Sequence, residues 1–425
     1  MTAPRFTRLQ DWLRWQERLH PNTIELGLER VQAVAERLAV RRPAPVAVAV
    51  GGTNGKGSVV VMLEAVLRAQ GYRTGAYLSP HLFRYNERIR IDGEQVPDDA
   101  LCDAFAAVDA ARGDTSLTYF EFGTLAALWL FQQAGVAVAL LEVGLGGRLD
   151  AVNVVNAHAA VVTSVGLDHT DWLGDDRDSI GREKAGIWRA GRVAVCGERK
   201  PPQGLIEAGM RIGADLRLPG RDFQVQRAQG EWHWCGRSLA WPNLPMPALA
   251  GGAQIDNAAA ALALLEGLAA ELPVARDAVA DGLARARLPG RLQVVPGRVP
   301  VLLDVAHNAE AAGALVRYLE QDPAAGRNIA VVGMLKDKPI RAVGRVLDQA
   351  VSAWYAGTLD GERGLTGQAL AERLGRMRGP VSTFRDPAAA FRGAWRDARP
   401  GDRVVVLGSF RTVAAVSESA RWMKS

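Results

Sequence analysis

The stretch Gly51-Gly-Thr-Asn-Gly-Lys-Gly-Ser58 holds the residue types that phosphate groups require. Glycines let backbone N–H groups approach an anion, Lys56 supplies a point charge, and a following helix adds its positive N-terminal end. The Ser58 hydroxyl is an oxygen ligand that Mg²⁺ accepts. A glycine-rich turn with a solvated lysine has the same composition, but it needs neither the strand before it nor the helix after it. The spacing departs from G-x-x-x-x-G-K-[ST]. Gly57 follows Lys56 directly and Val50 takes the early glycine position, which argues against a GTPase or a kinase-like loop. Two further groups stand in comparable places. Glu142 ends one apolar run and Asp168-His169 follows another, so both fall on the carboxyl rim where parallel sheets bind ligands. Each alone could be a solvated strand end or a structural histidine. Ser58, Glu142 and His169 on one rim favour a ligand site. No Ser/His/Asp or Cys/His arrangement offers a covalent nucleophile.

These side chains need strands and helices to hold them. Residues 45–50 form a continuous valine-rich run, as a strand buried on both faces should, and helical periodicity resumes over 59–69. Short strands are predicted at 75–79, 137–143 and 159–165, with helices at 98–111 and 123–133 between them. Helices are also expected over 11–20 and 28–38. The pattern loosens from 192 to about 241, and 257–268 is an alanine-rich helix. Leu288-Pro-Gly-Arg-Leu292 marks a break. Beyond it strands are predicted at 299–305, 328–332, 350–355 and 403–407, enough for a small doubly wound sheet. The fold class is therefore α/β, with a larger N-terminal P-loop-containing domain over 1–288 and a smaller one over 289–425.

A chain of 425 residues exceeds what one core usually organises. Its 48% hydrophobic and 23% charged residues are those of a globular enzyme. The net charge of +5 is spread along the chain with no dense basic run, which disfavours a nucleic-acid partner and suits an anionic small substrate. Cys102, Cys196 and Cys235 show no metal-finger spacing and read as reduced thiols. With no apolar leader after Met1 and no run long enough to span a bilayer, the expectation is a cytoplasmic protein with no membrane partner.

Several longer motifs carry a resemblance. In the N-terminal part they are Asn22-Thr-Ile-Glu-Leu-Gly-Leu-Glu-Arg-Val31, Gly52-Thr-Asn-Gly-Lys-Gly-Ser58 and Ser79-Pro-His-Leu-Phe-Arg-Tyr-Asn-Glu-Arg-Ile-Arg90. Then come Leu117-Thr-Tyr-Phe-Glu-Phe-Gly123, Leu141-Glu-Val-Gly-Leu-Gly-Gly-Arg-Leu-Asp150, Asp168-His-Thr-Asp-Trp-Leu-Gly174 and Arg182-Glu-Lys-Ala-Gly-Ile187. Leu288-Pro-Gly-Arg291, Asp304-Val-Ala-His-Asn308 and Gly408-Ser-Phe410 complete the set. Taken together the chain resembles the bacterial bifunctional dihydrofolate synthase/folylpolyglutamate synthase family, of the Mur ligase superfamily, over nearly its whole length.

The resemblance implies an ATP-dependent ligase that joins L-glutamate to dihydropteroate and further glutamates to tetrahydrofolates through an acyl phosphate. It implies a Mur-ligase-like ATP-binding first domain carrying the pterin site and a glutamate ligase second domain. Thr53, Asn54, Gly55, Lys56, Gly57 and Ser58 would hold the ATP phosphates, with Asn257, Arg291, Asp304 and His307 as further nucleotide contacts. Ser79 and Glu142, with Ser58, would bind one Mg²⁺. His169 and Lys184 would serve a second that Glu142 also touches, Lys184 being carbamylated to N6-carboxylysine. Lys56, Glu142, His169 and Lys184 would be the catalytic set. The pterin would lie among Glu25, Leu26, Gly27, Leu28, Thr118, Tyr119, Phe120, Glu121, Leu149, Asp150 and Ala151, with Asp150 accepting hydrogen bonds from it. Two positions depart from the family pattern: Val152 stands where Thr is frequent and Glu25 where Asp is frequent. A monofunctional folylpolyglutamate synthase, a cell-wall Mur ligase and a P-loop nucleotide switch remain the alternatives. A monomer is expected.

Overall fold

The structure, a computed structural model, describes residues 4–419. Residues 1–3, which enter the expectation of no secretory leader, lie outside them. The chain divides into two units: one comprises Met1–Ala248 and Gln254–Arg287, the other Leu249–Ala253 and Leu288–Ser425.

The first unit is built on an eight-stranded sheet. Its strands are β1 (Val46–Gly51), β2 (Thr74–Tyr77), β3 (Ile89–Ile91), β4 (Glu94–Gln95), β5 (Val138–Glu142), β6 (Ala159–Val162), β7 (Val193–Cys196) and β8 (Asp215–Arg217), in the order β4-β3-β2-β5-β1-β6-β7-β8. β2, β5, β1, β6, β7 and β8 are parallel, and β3 and β4 add an antiparallel edge. Every residue of β1, β2, β5 and β6 is buried, which explains their unbroken apolar spelling. Helices Leu9–Leu19 and Glu29–Arg37 pack on Asp98–Arg112 and Tyr119–Ala134, closing one face over Trp12, Phe105 and Phe122. The helix Lys56–Ala69 lies against Arg276–Arg285. A separate antiparallel sheet, β9 (Gln224–Arg227), β10 (Glu231–Cys235) and β11 (Ala240–Pro245), occupies the stretch where periodicity loosens. Trp234 and Trp241 stack within it with ring centroids 5.1 Å apart.

The second unit holds six strands: β12 (Gln293–Val295), β13 (Val301–Leu303), β14 (Asn328–Val332), β15 (Ala353–Gly357), β16 (Val381–Phe384) and β17 (Arg403–Leu407). Their order is β12-β13-β17-β14-β15-β16, parallel except for β12. Leu302, Ala330, Val332, Trp354 and Val405 line its core.

Several strand ends differ from their sequence expectation for a local reason. The strand predicted over 159–165 stops at Val162, because the Thr163 and Ser164 side chains bond to the loop after β1. The helix predicted from 123 begins at Tyr119, where Thr118 and Glu121 form a reciprocal capping box. All three cysteines are free thiols, and no helix among the described residues is long and apolar enough to cross a membrane.

Candidate active site

The loop after β1 is fixed from beneath by the end of β6. Thr53 N–H donates to Ser164 O at 2.9 Å, and Asn54 N–H to Ser164 Oγ at 3.0 Å. The Thr163 hydroxyl lies 2.6 Å from Asn54 O, and Gly166 N–H donates to Thr53 Oγ1 at 2.9 Å. Gly52, at φ +141°, passes so close that a Cβ there would sit 1.9 Å from Thr163 Oγ1. Gly55 caps the helix Lys56–Ala69 at φ +90° and brings no capping side chain of its own. A helix that opens on glycine lets an anion approach its N-terminal end closely. Lys56 Nζ folds back onto Gly52 O at 3.1 Å and Thr53 O at 3.2 Å. Ser58 is buried in the first turn. Asn257, from the helix Ala253–Gly267, comes up against Gly55: a Cβ on Gly55 would lie 2.5 Å from its Oδ1.

Glu142 and Ser79 end neighbouring strands. The register pairs Val50 with Glu142 and Tyr77 with Leu141, so the loop after β1, Glu142 and Ser79 share one rim. Ser79 N–H donates to Glu142 Oε2 at 2.9 Å, and the Glu142 carboxylate is buried at 4% exposure. A carboxylate and two hydroxyls are the hard oxygen donors that suit Mg²⁺, and a cation would offset the cost of burying this carboxylate. Among the described residues no three His, Cys, Asp or Glu side chains converge on one point.

The glycine-rich chain after Glu142 docks on the turn that carries Lys184. Arg148 N–H donates to Glu183 O at 3.0 Å, and its guanidinium pairs with the Glu183 carboxylate at 2.9 Å. Lys184, on the helix Arg177–Ala185, is only 3% exposed, contrary to what an isolated lysine in a sequence suggests. His169 adopts φ 53° ahead of the short helix Thr170–Leu173 and keeps a partly exposed ring 4.0 Å from Asp168.

The three segments assigned to the pterin also meet. Gly27 N–H donates to Leu149 O at 3.3 Å. Arg30 bonds both Glu25 Oε1 and, at 3.1 Å, Glu121 Oε1. Phe120 stacks obliquely on Tyr77 at 5.8 Å. Asp150 is buried, and its two oxygens accept from Leu145 N–H at 2.8 Å and Val152 N–H at 3.0 Å. Burial pushes its carboxyl up to about 7. Hydrogen bonds from His20 and Asn22 hold Glu25 down at about 2. Thr118, Glu121 and Asp150 thus have structural partners of their own, Thr118 and Glu121 in a helix cap and Asp150 in its turn. Thr163, Ser164, His20 and Arg30 were not legible as site residues. Only hydroxyls just past a strand, and a histidine and arginine flanking a loop, hint at them.

In the second unit, Arg291, Asp304 and His307 gather past the end of β13. Asp304 accepts from Leu292 N–H at 2.9 Å and Ala306 N–H at 2.8 Å, and burial raises its carboxyl from the usual range. His307 Nδ1 lies 2.8 Å from Val305 O, and the Arg291 guanidinium sits 5.3 Å from the centroid of the Phe410 ring.

This geometry has close counterparts. Residues 290–410 match the family model of the Mur ligase glutamate ligase domain. The dihydrofolate synthase/folylpolyglutamate synthase of Escherichia coli K12 is 48% identical over 410 residues, covering 96% of this chain and 95% of that one. The structure of E. coli FolC in complex with DHPP and ADP superposes with a TM-score of 0.94 at 46% identity, covering all of both chains. A bifunctional folylpolyglutamate synthase/dihydrofolate synthase with Mn, AMPPNP and L-glutamate bound gives 0.91 at 46% identity, covering 99% of each. The chain belongs to the dihydrofolate synthase/folylpolyglutamate synthase family of ligases.

Proposed function

We propose that this ligase joins L-glutamate to dihydropteroate, giving dihydrofolate, and adds further glutamates to tetrahydrofolates, each time at the expense of ATP. The observation that carries the reading is the phosphate loop: a helix N-terminus opened by the left-handed Gly55 and flanked by Lys56, on the same rim as Glu142 and Ser79. Relatives described with ADP, AMPPNP, Mn and L-glutamate support it.

A carboxylate is a poor electrophile, so an amine does not displace its oxygen at neutral pH. Transfer of the γ-phosphoryl group to the acceptor carboxylate breaks the terminal phosphoanhydride bond and gives an acyl phosphate and ADP. Charge builds on phosphate oxygens in that step, where the loop amides and the Lys56 ammonium lie ready to receive it. The glutamate amine then attacks the acyl carbon, loses a proton, and phosphate leaves. Mg²⁺ at two sites, held by Ser58, Ser79 and Glu142 and by Glu142, His169 and Lys184, would neutralise phosphate charge when bound. The burial of Lys184 supports its modification to N6-carboxylysine, which would give a buried site an anion that a divalent cation can hold. Thr53, Asn54, Gly57 and Asn257 serve the nucleotide in the first unit, and Arg291, Asp304 and His307 are nucleotide contacts of the second. Leu26 to Leu28, Tyr119, Phe120 and Leu149 to Ala151 surround the pterin. The first unit is then the ATP and pterin domain, the second the glutamate ligase domain, in a cytoplasmic monomer.

The test is purified protein with ATP, Mg²⁺ and glutamate, offered dihydropteroate and tetrahydrofolate separately. Phosphate release with both is expected. Release with tetrahydrofolate alone would make the enzyme a monofunctional folylpolyglutamate synthase.

A further inference from the structure

The loop 21–28 runs from the end of the helix Leu9–Leu19 to the start of Glu29–Arg37 with no regular structure of its own. A loop without ladder hydrogen bonds opens readily unless side chains hold it. Its ties converge on one carboxylate. Glu25 Oε2 accepts from His20 Nε2 at 2.9 Å and from Asn22 Nδ2 at 2.8 Å, and Oε1 accepts from Arg30 Nη1. The other arm of the Arg30 fork reaches Glu25 O at 3.3 Å and Glu121 Oε1 at 3.1 Å. Glu121 is almost fully buried, and its second oxygen accepts from Thr118 N–H at 2.8 Å.

His20 closes the other side. Ser116 Oγ has a single hydrogen, and it donates that to Leu19 O at 3.0 Å. The same oxygen lies 2.8 Å from His20 Nδ1. Nε2 on the opposite side of the ring meets the ionised Glu25 carboxylate at 2.9 Å, so the ring spans Ser116 and Glu25. The result is a closed cluster in which His20 and Arg30 bridge the loop to residues 116–121, on a chain segment about ninety residues away. The planar fork presents Nη1 to Glu25 and Nη2 to Glu121, a spacing that a lysine, whose donors radiate from one atom, does not reproduce.

We infer that Arg30, assisted by His20, is a positioning residue for the acceptor substrate: through Glu25 and Glu121 it latches the loop 21–28 onto the start of the helix Tyr119–Ala134. The inference rests on the reading that 26–28, 119–120 and 149–151 surround the pterin, and it changes the part played by two residues. Glu25 and Glu121 are committed to the latch, so the loop meets the pterin through Leu26, Gly27 and Leu28. The Gly27 N–H bond to Leu149 O, at 3.3 Å, is long and depends on the latch to persist.

The test is Arg30→Ala, Arg30→Lys and Glu25→Gln in the full-length protein, with steady-state kinetics for each substrate and hydrogen exchange on the free enzyme. The expected result is a KM for dihydropteroate and tetrahydrofolate raised about tenfold, as loss of charge-assisted bonds to a carboxylate implies. The KM for ATP and kcat should stay within about twofold. Arg30→Lys should fall with Arg30→Ala, since charge without the fork does not bridge. Exchange at 21–28 should quicken while 53–58 remains as in the parent. Glu25→Gln, on a partly exposed side chain, keeps the test available if removing Arg30 from beside Glu121 prevents folding. Unchanged exchange at 21–28, full rescue by lysine, or equal losses for ATP and both acceptors would overturn the latch. An enzyme that never accepts dihydropteroate or tetrahydrofolate would instead overturn the pterin reading, and exchange at 21–28 would still decide whether the latch exists.

Discussion

Replacing Gly52 by alanine should damage the phosphate loop more than any other single methyl group. Two costs add. At φ +141° an L-residue leaves its allowed region, at about 1–3 kcal/mol. The new Cβ would also lie 1.9 Å from Thr163 Oγ1, and 3.0 Å from Thr163 N, so the strand end or the loop must move by more than an ångström. Overpacking of that kind costs about 1–3 kcal/mol more. The Thr163 hydroxyl cannot step aside freely, because it holds Asn54 O at 2.6 Å and Gly51 O at 3.2 Å. The expected effect of Gly52→Ala is a loss of roughly 2–6 kcal/mol, shared between thermal stability and nucleotide binding. Thr163→Ala alone should cost about 1 kcal/mol for its hydrogen bond. The double variant should then be less damaged than the sum by about 1–3 kcal/mol, because the obstructing oxygen is gone. Calorimetric unfolding and ADP titration on the four proteins measure this cycle. Strict additivity, or a Gly52→Ala protein that binds ADP like the parent, would refute the account of how β6 shapes the loop.

Lys184→Ala should lose most ligation while keeping ADP affinity, since the phosphate loop is intact, and formate or acetate should restore part of the rate by replacing the missing anion. A high-resolution map showing an unmodified Lys184 ammonium paired with Glu183 or Glu142, with no metal nearby, would sink the carbamate. Asp150 makes a pH prediction. Its carboxyl stands at about 7 in the folded protein against 3.8 in the unfolded chain, so the folded state holds a proton that the unfolded state has released. The stability it contributes is complete below about pH 4 and is lost as pH rises through about 7. Melting temperature should therefore fall from pH 4 to 8 more steeply in the parent than in Asp150→Asn; parallel curves would show that the buried carboxyl is ionised throughout.

Much of the frame is local and could be read directly. β14 and β17 fall on their expected residues, and β1 and β5 lie within a residue of theirs, because strands buried on both faces must be unbroken apolar runs. The short strands β3, β4, β8 and β16 and the three-stranded sheet carry no such signal. They are short and half exposed, so their residues need not be apolar and no unbroken hydrophobic run marks them. That Leu249–Ala253 groups with the second unit, well before the break at Leu288, is likewise invisible in composition.

The site divides the same way. Gly51 to Ser58 and Glu142 stood out through residue type and spacing, and the segments 25–28, 118–121 and 149–151 only through the resemblance of their motifs, all properties of contiguous chain. What a residue does once placed depended on its distant partners. Lys184 reads as a surface lysine until the helix Arg177–Ala185 packs it away, and Thr163 reads as the end of a strand until Gly52 passes beside it. Arg30 is one of many arginines until it meets Glu121, 91 residues on. Burial and charge pairing are set by contacts between residues far apart in sequence, so the sequence by itself determined which groups are present on the rim, and only the tertiary structure decided which of them are exposed to a substrate and which are held by one another.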